Sequence, residues 1–175
     1  TPAEICPKCG TRTFMDEPSD AGLDPLLGRV LDQRYRIEER IGRGGMGTVY
    51  RAVQIAMNKV VAVKVMNPEL ARNTDAVKRF HREARAATAF DHPHAIRLID
   101  FGQATTRELF MVMEFLHGRP LSNVIRGEAP FSVARAAKVA GDIANALAAA
   151  HGVHLVHRDM KPDNVFLLDV AGDND

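Results

Sequence analysis

Within His157-Arg158-Asp159-Met160-Lys161-Pro162-Asp163-Asn164, an acid, a base two residues later and an amide three beyond that share one short stretch. Side chains of these types suit proton transfer and the holding of charged groups. The stretch cannot be regular helix, because Pro162 removes an amide donor and forces Lys161 out of the α region. A helical pattern over about 132–151 runs up to it, and a short apolar strand, Val165-Phe166-Leu167-Leu168, leaves it. Asp159, Lys161 and Asn164 therefore ride on one loop held at both ends, where catalytic groups tend to be placed.

The surrounding chain has 175 residues, enough for one domain with a tail or for two small lobes. It is 46% hydrophobic and 26% charged with a net charge of +1, a balance that argues against nucleic acid or an acidic membrane surface as main partner. Lys and Arg are scattered rather than blocked. No apolar run approaches the roughly 20 residues of a membrane helix, and the N-terminus lacks the layout of a secretion signal. The only two cysteines share one C-x-x-C, which excludes a disulfide framework and favours a reducing, cytoplasmic setting.

That C-x-x-C, Cys6-Pro7-Lys8-Cys9-Gly10, has the spacing of one knuckle of a zinc ribbon, in which two thiolates hold the same Zn²⁺. A closed structural site needs four ligands, and no second C-x-x-C exists. The pair is either half of such a ribbon or a surface turn with two free thiols. Thr11 to Asp24 is polar and dotted with Pro, Asp, Ser and Gly, and reads as linker. Leu26 to Leu31 is expected to pack on the domain that follows.

Three strand candidates come next. Tyr35–Ile41 runs into Gly42-Arg43-Gly44-Gly45-Met46-Gly47, and Thr48–Val53 leaves it. A dinucleotide fold would need a helix after these glycines, and the NTPase phosphate loop would need G-K-[ST]; neither is present. In Val60–Met66, period two puts Val61, Val63 and Val65 on one face and Ala62, Lys64 and Met66 on the other. A lysine amid so apolar a strand is costly unless its ammonium meets an anion. Asn73-Thr74-Asp75 offers caps for a helix through about Phe90, with Val77, Phe80, Ala84 and Ala87 as buried stripe and Glu83 at its edge. Ile96–Ile99 and Leu109–Met113 are further strands, and Asp100-Phe101-Gly102 is read as a strand end entering a turn, with no metal role. Leu121–Arg126 suggests a short helix. Ser132 caps a longer one with Ala136, Ala140, Ile143 and Leu147 as its buried stripe, closed by Gly152. His157 is expected to pack beneath the loop.

His-Arg-Asp-Met-Lys-Pro-Asp-Asn resembles the catalytic loop of eukaryotic-type protein kinases, H-R-D-x-K-P-x-N. Four upstream features agree in order: the glycine hairpin, the V-A-V-K strand lysine, the helix glutamate and the segment Glu114-Phe115-Leu116-His117-Gly118, similar to the family's hinge. The chain thus resembles a serine/threonine kinase of bacterial type. Lys161, two places after Asp159, is similar to the Ser/Thr-specific subgroup.

The resemblance implies an α+β, two-lobed, protein-kinase-like fold. The chain divides into a tail and linker at 1–34, a complete antiparallel-sheet lobe at 35–115 and only the start of a helical lobe at 116–175. It further implies ATP and Mg²⁺ as cofactors and a protein as substrate. Asp159 would orient the hydroxyl and accept its proton, Lys161 would offset γ-phosphate charge, and Asn164 would bind one Mg²⁺. Lys64, anchored by Glu83, would hold the α- and β-phosphates under Gly42, Gly44 and Gly47. Val49, Ala62, Met113, Glu114, Leu116 and Phe166 would complete the nucleotide contacts, Glu114 and Leu116 through their backbones. Arg158 would read a phosphate on an activation loop.

The sequence stops eleven residues after Asn164, before any D-F-G or substrate platform. An incomplete stretch of a longer kinase is therefore expected, inactive by itself and prone to self-association through uncovered apolar surface. The alternatives are a non-catalytic nucleotide-binding or regulatory module and a small-molecule phosphotransferase on the same fold.

Overall fold

The structure is a computed structural model that describes residues 24–169. Cys6 and Cys9, and with them the zinc-knuckle expectation, lie outside those residues. The core is a six-stranded antiparallel sheet. Its strands are β1 (Val30–Leu31), β2 (Tyr35–Gly44), β3 (Gly47–Gln54), β4 (Lys59–Met66), β5 (Leu98–Gln103) and β6 (Leu109–Glu114), in the order β1-β2-β3-β4-β6-β5.

Alternation in β4 falls as its sequence dictates. Val61, Val63 and Val65 are buried against Tyr35, Ile37, Tyr50, Ala52, Phe110 and Val112 from the neighbouring strands. Leu26 and Leu27 pack against the same cluster, as expected of that segment. Gly28 N–H donates to Ile37 O at 3.0 Å and Ile37 N–H to Arg29 O at 2.9 Å, so the segment is laced onto β2.

Two helices follow β4: α1 (Pro68–Arg72) and α2 (Thr74–Thr88). Asn73 Oδ1 accepts from the amides of Asp75 and Ala76, both at 3.0 Å, which is the expected cap. Phe80 and Ala84 are buried, and Phe80 sets its ring edge-on to Phe101 of β5 at 6.4 Å. Asp100-Phe101-Gly102 lies within β5, which starts and ends later than the strand expected at 96–99. Asp100 is occupied there: its carboxylate accepts from Tyr35 Oη at 2.6 Å and from Arg34 at 2.7 Å.

Beyond β6 the chain forms β7 (Gly118–Pro120), α3 (Leu121–Glu128) and α4 (Val133–Gly152). A 3₁₀ turn at Pro162–Asn164 and β8 (Phe166–Leu168), antiparallel to β7, complete this part. Ser132 Oγ accepts from Arg135 N–H at 3.2 Å and so caps α4 as expected. The stripe expected on α4 is not buried. Ala136 and Ala140 are exposed, Ile143 and Leu147 half-buried, and Ala150 alone is buried. An amphipathic pattern marks a face fit for burial, but burial needs a second surface, and among the described residues none covers α4.

Candidate active site

Strand register gathers the residues of the glycine hairpin and the lysine strand. Gly42 pairs with Val49, Val49 with Lys64, and Ala62 with Met113. Directly paired residues share a face, as do residues two apart in one strand. Val49, Lys64, Ala62 and Met113 therefore form one contiguous patch across β3, β4 and β6, on the face opposite the valine core. Ala62 is buried there and Lys64 half-buried.

The hairpin above the patch turns at Gly45-Met46, closed by the pair Gly44–Gly47. Met46 O accepts from Asn67 N–H at 3.1 Å, which fastens its tip to the end of β4. Gly47 has φ +154°, and a Cβ there would stand 2.2 Å from Val65 O, so no other residue fits. Over Gly44 and Gly45 a Cβ would meet nothing within 4 Å, leaving that side open to a ligand.

At the end of β6, Glu114 is held twice to Arg97, just before β5. Its amide donates to Arg97 O at 3.1 Å, and its Oε1 accepts from Arg97 N–H at 2.7 Å. Leu116 lies between β6 and β7, and among the described residues its backbone N–H and C=O have no protein partner. Such a pair of groups can bind the edge of a heterocyclic base.

The loop before β8 is ordered by its own polar groups. Asp159 N–H donates to His157 O at 2.9 Å and also to His157 Nδ1 at 3.3 Å. Asn164 Nδ2 donates to Asp159 O at 2.8 Å and to Asp159 Oδ2 at 3.0 Å, while Lys161 Nζ sits 3.1 Å from the same Oδ2. Asp159, Lys161 and Asn164 thus converge as their spacing suggested. The Lys161 bond, then the Asn164 bond, hold the Asp159 carboxyl below the usual aspartate range, so it is a carboxylate at neutral pH. Phe166 opens β8 and pairs with Pro120, with its side chain largely exposed.

Two expectations need correction. His157 does not pack beneath the loop; it is exposed and braces the loop through the hydrogen bonds just given. Glu83 does not anchor Lys64. Its carboxylate, 55% exposed, faces Arg158 at 3.7 Å, and no carboxylate lies within ion-pair reach of Lys64 among the described residues. The cause is where α2 docks: it packs on β5, two strands away from the lysine strand β4. Arg158, at φ +64°, keeps its side chain 76% exposed, with its guanidinium 3.7 Å from Glu83.

No sequence signal marks His94, whose Nε2 stands 3.5 Å from Asp142 of α4 and links the sheet side to the helical side. Asp24 is a second linking residue, bound to Tyr50 and near Arg40. The Asp-Pro pair at 24–25 was a turn signal that could have found it. Among the described residues, no group of three or more His, Cys, Asp or Glu could hold a metal by itself, and no helix is long and apolar enough to cross a membrane.

Comparison with known proteins gives one consistent answer. The protein kinase domain family matches residues 35–172. The chain is 40% identical over 144 residues to serine/threonine-protein kinase pkn3 of Myxococcus xanthus, covering 82% of this chain and 26% of that protein. It is 35% identical over 147 residues to serine/threonine-protein kinase PrkC of Bacillus subtilis, covering 84% and 22% respectively. A crystal structure of the Mycobacterium tuberculosis PknI kinase domain superposes with a TM-score of 0.73 at 28% identity, covering 82% of this chain and 57% of that one. The chain therefore spans about a quarter of the length of these curated relatives and somewhat over half of the solved domain.

Proposed function

Because this chain belongs to the protein kinase domain family, in the company of bacterial serine/threonine kinases, we propose that it serves transfer of the ATP γ-phosphate to serine or threonine hydroxyls of proteins. The fold is protein-kinase-like. In this reading residues 35–115 are the nucleotide lobe and 116–175 begin the lobe that presents the hydroxyl. The observation that carries the reading is the register that joins Gly42, Val49, Lys64, Ala62 and Met113 into one patch beneath a glycine turn.

Each group has a task that its surroundings suit. ATP would lie on the patch with its base against Ala62 and Met113 and its edge on the free backbone groups of Leu116 and the carbonyl of Glu114. Gly42, Gly44 and Gly47 would bring backbone amides to the phosphates. Lys64, with no carboxylate partner among the described residues, has its ammonium available for the α- and β-phosphates. Asp159 is ionised at neutral pH, so its Oδ2 can accept the hydroxyl proton as the phosphoryl group departs from ATP. Lys161 lies close enough to offset charge at that point.

Mg²⁺, which this family uses, takes hard oxygen ligands. Asn164 fits, because both of its described side-chain bonds use Nδ2 and leave the carbonyl Oδ1 without a donor among the described residues. When bound, the ion would neutralise phosphate charge. The setting is cytoplasmic, where ATP is supplied.

A direct test is transfer of labelled phosphate from ATP to a generic protein substrate by the full gene product. Loss of transfer in Asp159→Asn and in Lys64→Met is expected, and undiminished transfer in either would overturn the assignment. The position of Glu83 favours one second reading, nucleotide binding without transfer in this stretch alone. In that case Mg-ATP protects the 175-residue chain against heating, Lys64→Met abolishes the protection, and no phosphate moves.

A further inference from the structure

The glycine hairpin is tied to β4 along β3 and at its tip, but its β2 side is irregular. β2 slips register twice beneath it, between Ile37 and Glu39 and again between Arg40 and Gly42. Each slip interrupts the hydrogen-bond ladder and lets the strand bend. Arg40 and Tyr50 form the last paired rung before the second slip, directly behind the Gly42–Val49 pair.

A single carboxylate from outside the family's matched range closes on that rung. The Asp24 side chain is 7% exposed. Its Oδ2 accepts from Tyr50 Oη at 3.0 Å and lies 3.7 Å from Arg40, while its Oδ1 accepts from Leu26 N–H at 3.1 Å and lies 3.2 Å from Tyr50 Oη. Tyr50 is itself buried at 4% exposure. Burial, then the bond to Asp24, pushes its hydroxyl up to about 12, so it remains a donor throughout the working range of pH. Leu26 and Leu27 seat the same turn on the sheet core. One strap thus grips β2 through Arg40 and β3 through Tyr50 at the bulged point.

We propose that Asp24 is a positioning residue for the nucleotide site, its clasp on Arg40 and Tyr50 setting the height and mobility of the Gly42–Gly47 hairpin over the phosphates. The consequence for nucleotide affinity rests on the kinase reading above; the consequence for hairpin mobility does not. The physical reason is local. A rung next to a bulge has lost ladder bonds, and a buried charged acceptor shared by both strands restores cross-links at that level. A hairpin left to fluctuate must be ordered when nucleotide binds, which weakens binding.

Amide hydrogen exchange of the 175-residue chain without nucleotide tests this, with Asp24→Ala as the first variant and Tyr50→Phe as the conservative second. Loss of the one charge-assisted bond in Tyr50→Phe predicts about a tenfold faster exchange at 42–49, and Asp24→Ala, which also loses Arg40 and Leu26, at least as much, while the amides of β5 and β6 keep their rates. Asp24→Asn, which retains an acceptor for Tyr50, is expected to restore part of the protection. Mg-ATP affinity should fall as hairpin exchange rises across the same three variants. Unchanged exchange at 42–49, or equal loosening of every strand, would overturn the proposal. If Asp24→Ala does not fold, Tyr50→Phe decides by the same criteria. If the unaltered chain binds no Mg-ATP, the kinase reading of this stretch fails, and the exchange data still decide the clasp.

Discussion

The sheet side and the helical side of this molecule hold their functional residues by opposite means. On the sheet side, Lys64, Ala62, Val49 and Met113 are placed by strand register over a shut core of Tyr35, Ile37, Val61, Val63, Phe110 and Val112. On the helical side, Asp159, Lys161 and Asn164 are placed by a few hydrogen bonds among themselves, on a loop fed by a helix with one buried residue. The buried apolar residues follow the contrast: among the described residues beyond β6 only Leu121, Val124 and Ala150 are buried, and Val133 there is 87% exposed. A binding face carried by register moves only if the core moves. A catalytic loop carried by local polar bonds can be altered one bond at a time.

Substitutions can break or sharpen that contrast. Phe110→Ala opens a cavity in the shut core and should cost about 3–5 kcal/mol in denaturant unfolding, enough to disperse the whole patch. Leu147→Ala on half-buried α4 should cost about 1 kcal/mol, since roughly half the side chain's transfer energy is at stake. A comparable loss at both positions would erase the distinction. Tyr35→Phe removes the donor to Asp100 but leaves Arg34 on that carboxylate, so about 1 kcal/mol is expected.

The smallest effect is a titration. The folded value of Asp159 is depressed, so its contacts with Lys161 and Asn164 persist above the ordinary aspartate range and are lost only as pH falls through the lower folded value. Carbon NMR should find that midpoint below a normal aspartate, and Lys161→Met should raise it. No movement in Lys161→Met would mean that the loop is not organised by this pair.

Sequence made the sheet side legible because period two is a local property. V-V-A-V-K-V-M separates its two faces whatever it packs against, and one wrong step in register would have exposed every valine. Caps at Asn73 and Ser132 were equally local and stand where expected. The α4 stripe stays uncovered because Ala136 and Ala140 need a covering surface that a periodicity cannot supply. Glu83 lies on the right helix but faces Arg158, since the docking of α2 on β5 is a tertiary choice between distant strands. Asp24 was read as the end of a linker because the partners of its carboxylate, Arg40 and Tyr50, are far along the chain.

The central claim is that the paired positions around Lys64 bind a nucleoside triphosphate, and a hydrogen-exchange footprint of Mg-ATP on the 175-residue chain tests it most directly. Saturable protection confined to 42–49, 62–66 and 113–116, and abolished by Lys64→Met, is the predicted result. Protection elsewhere, or a footprint that survives Lys64→Met unchanged, would contradict it.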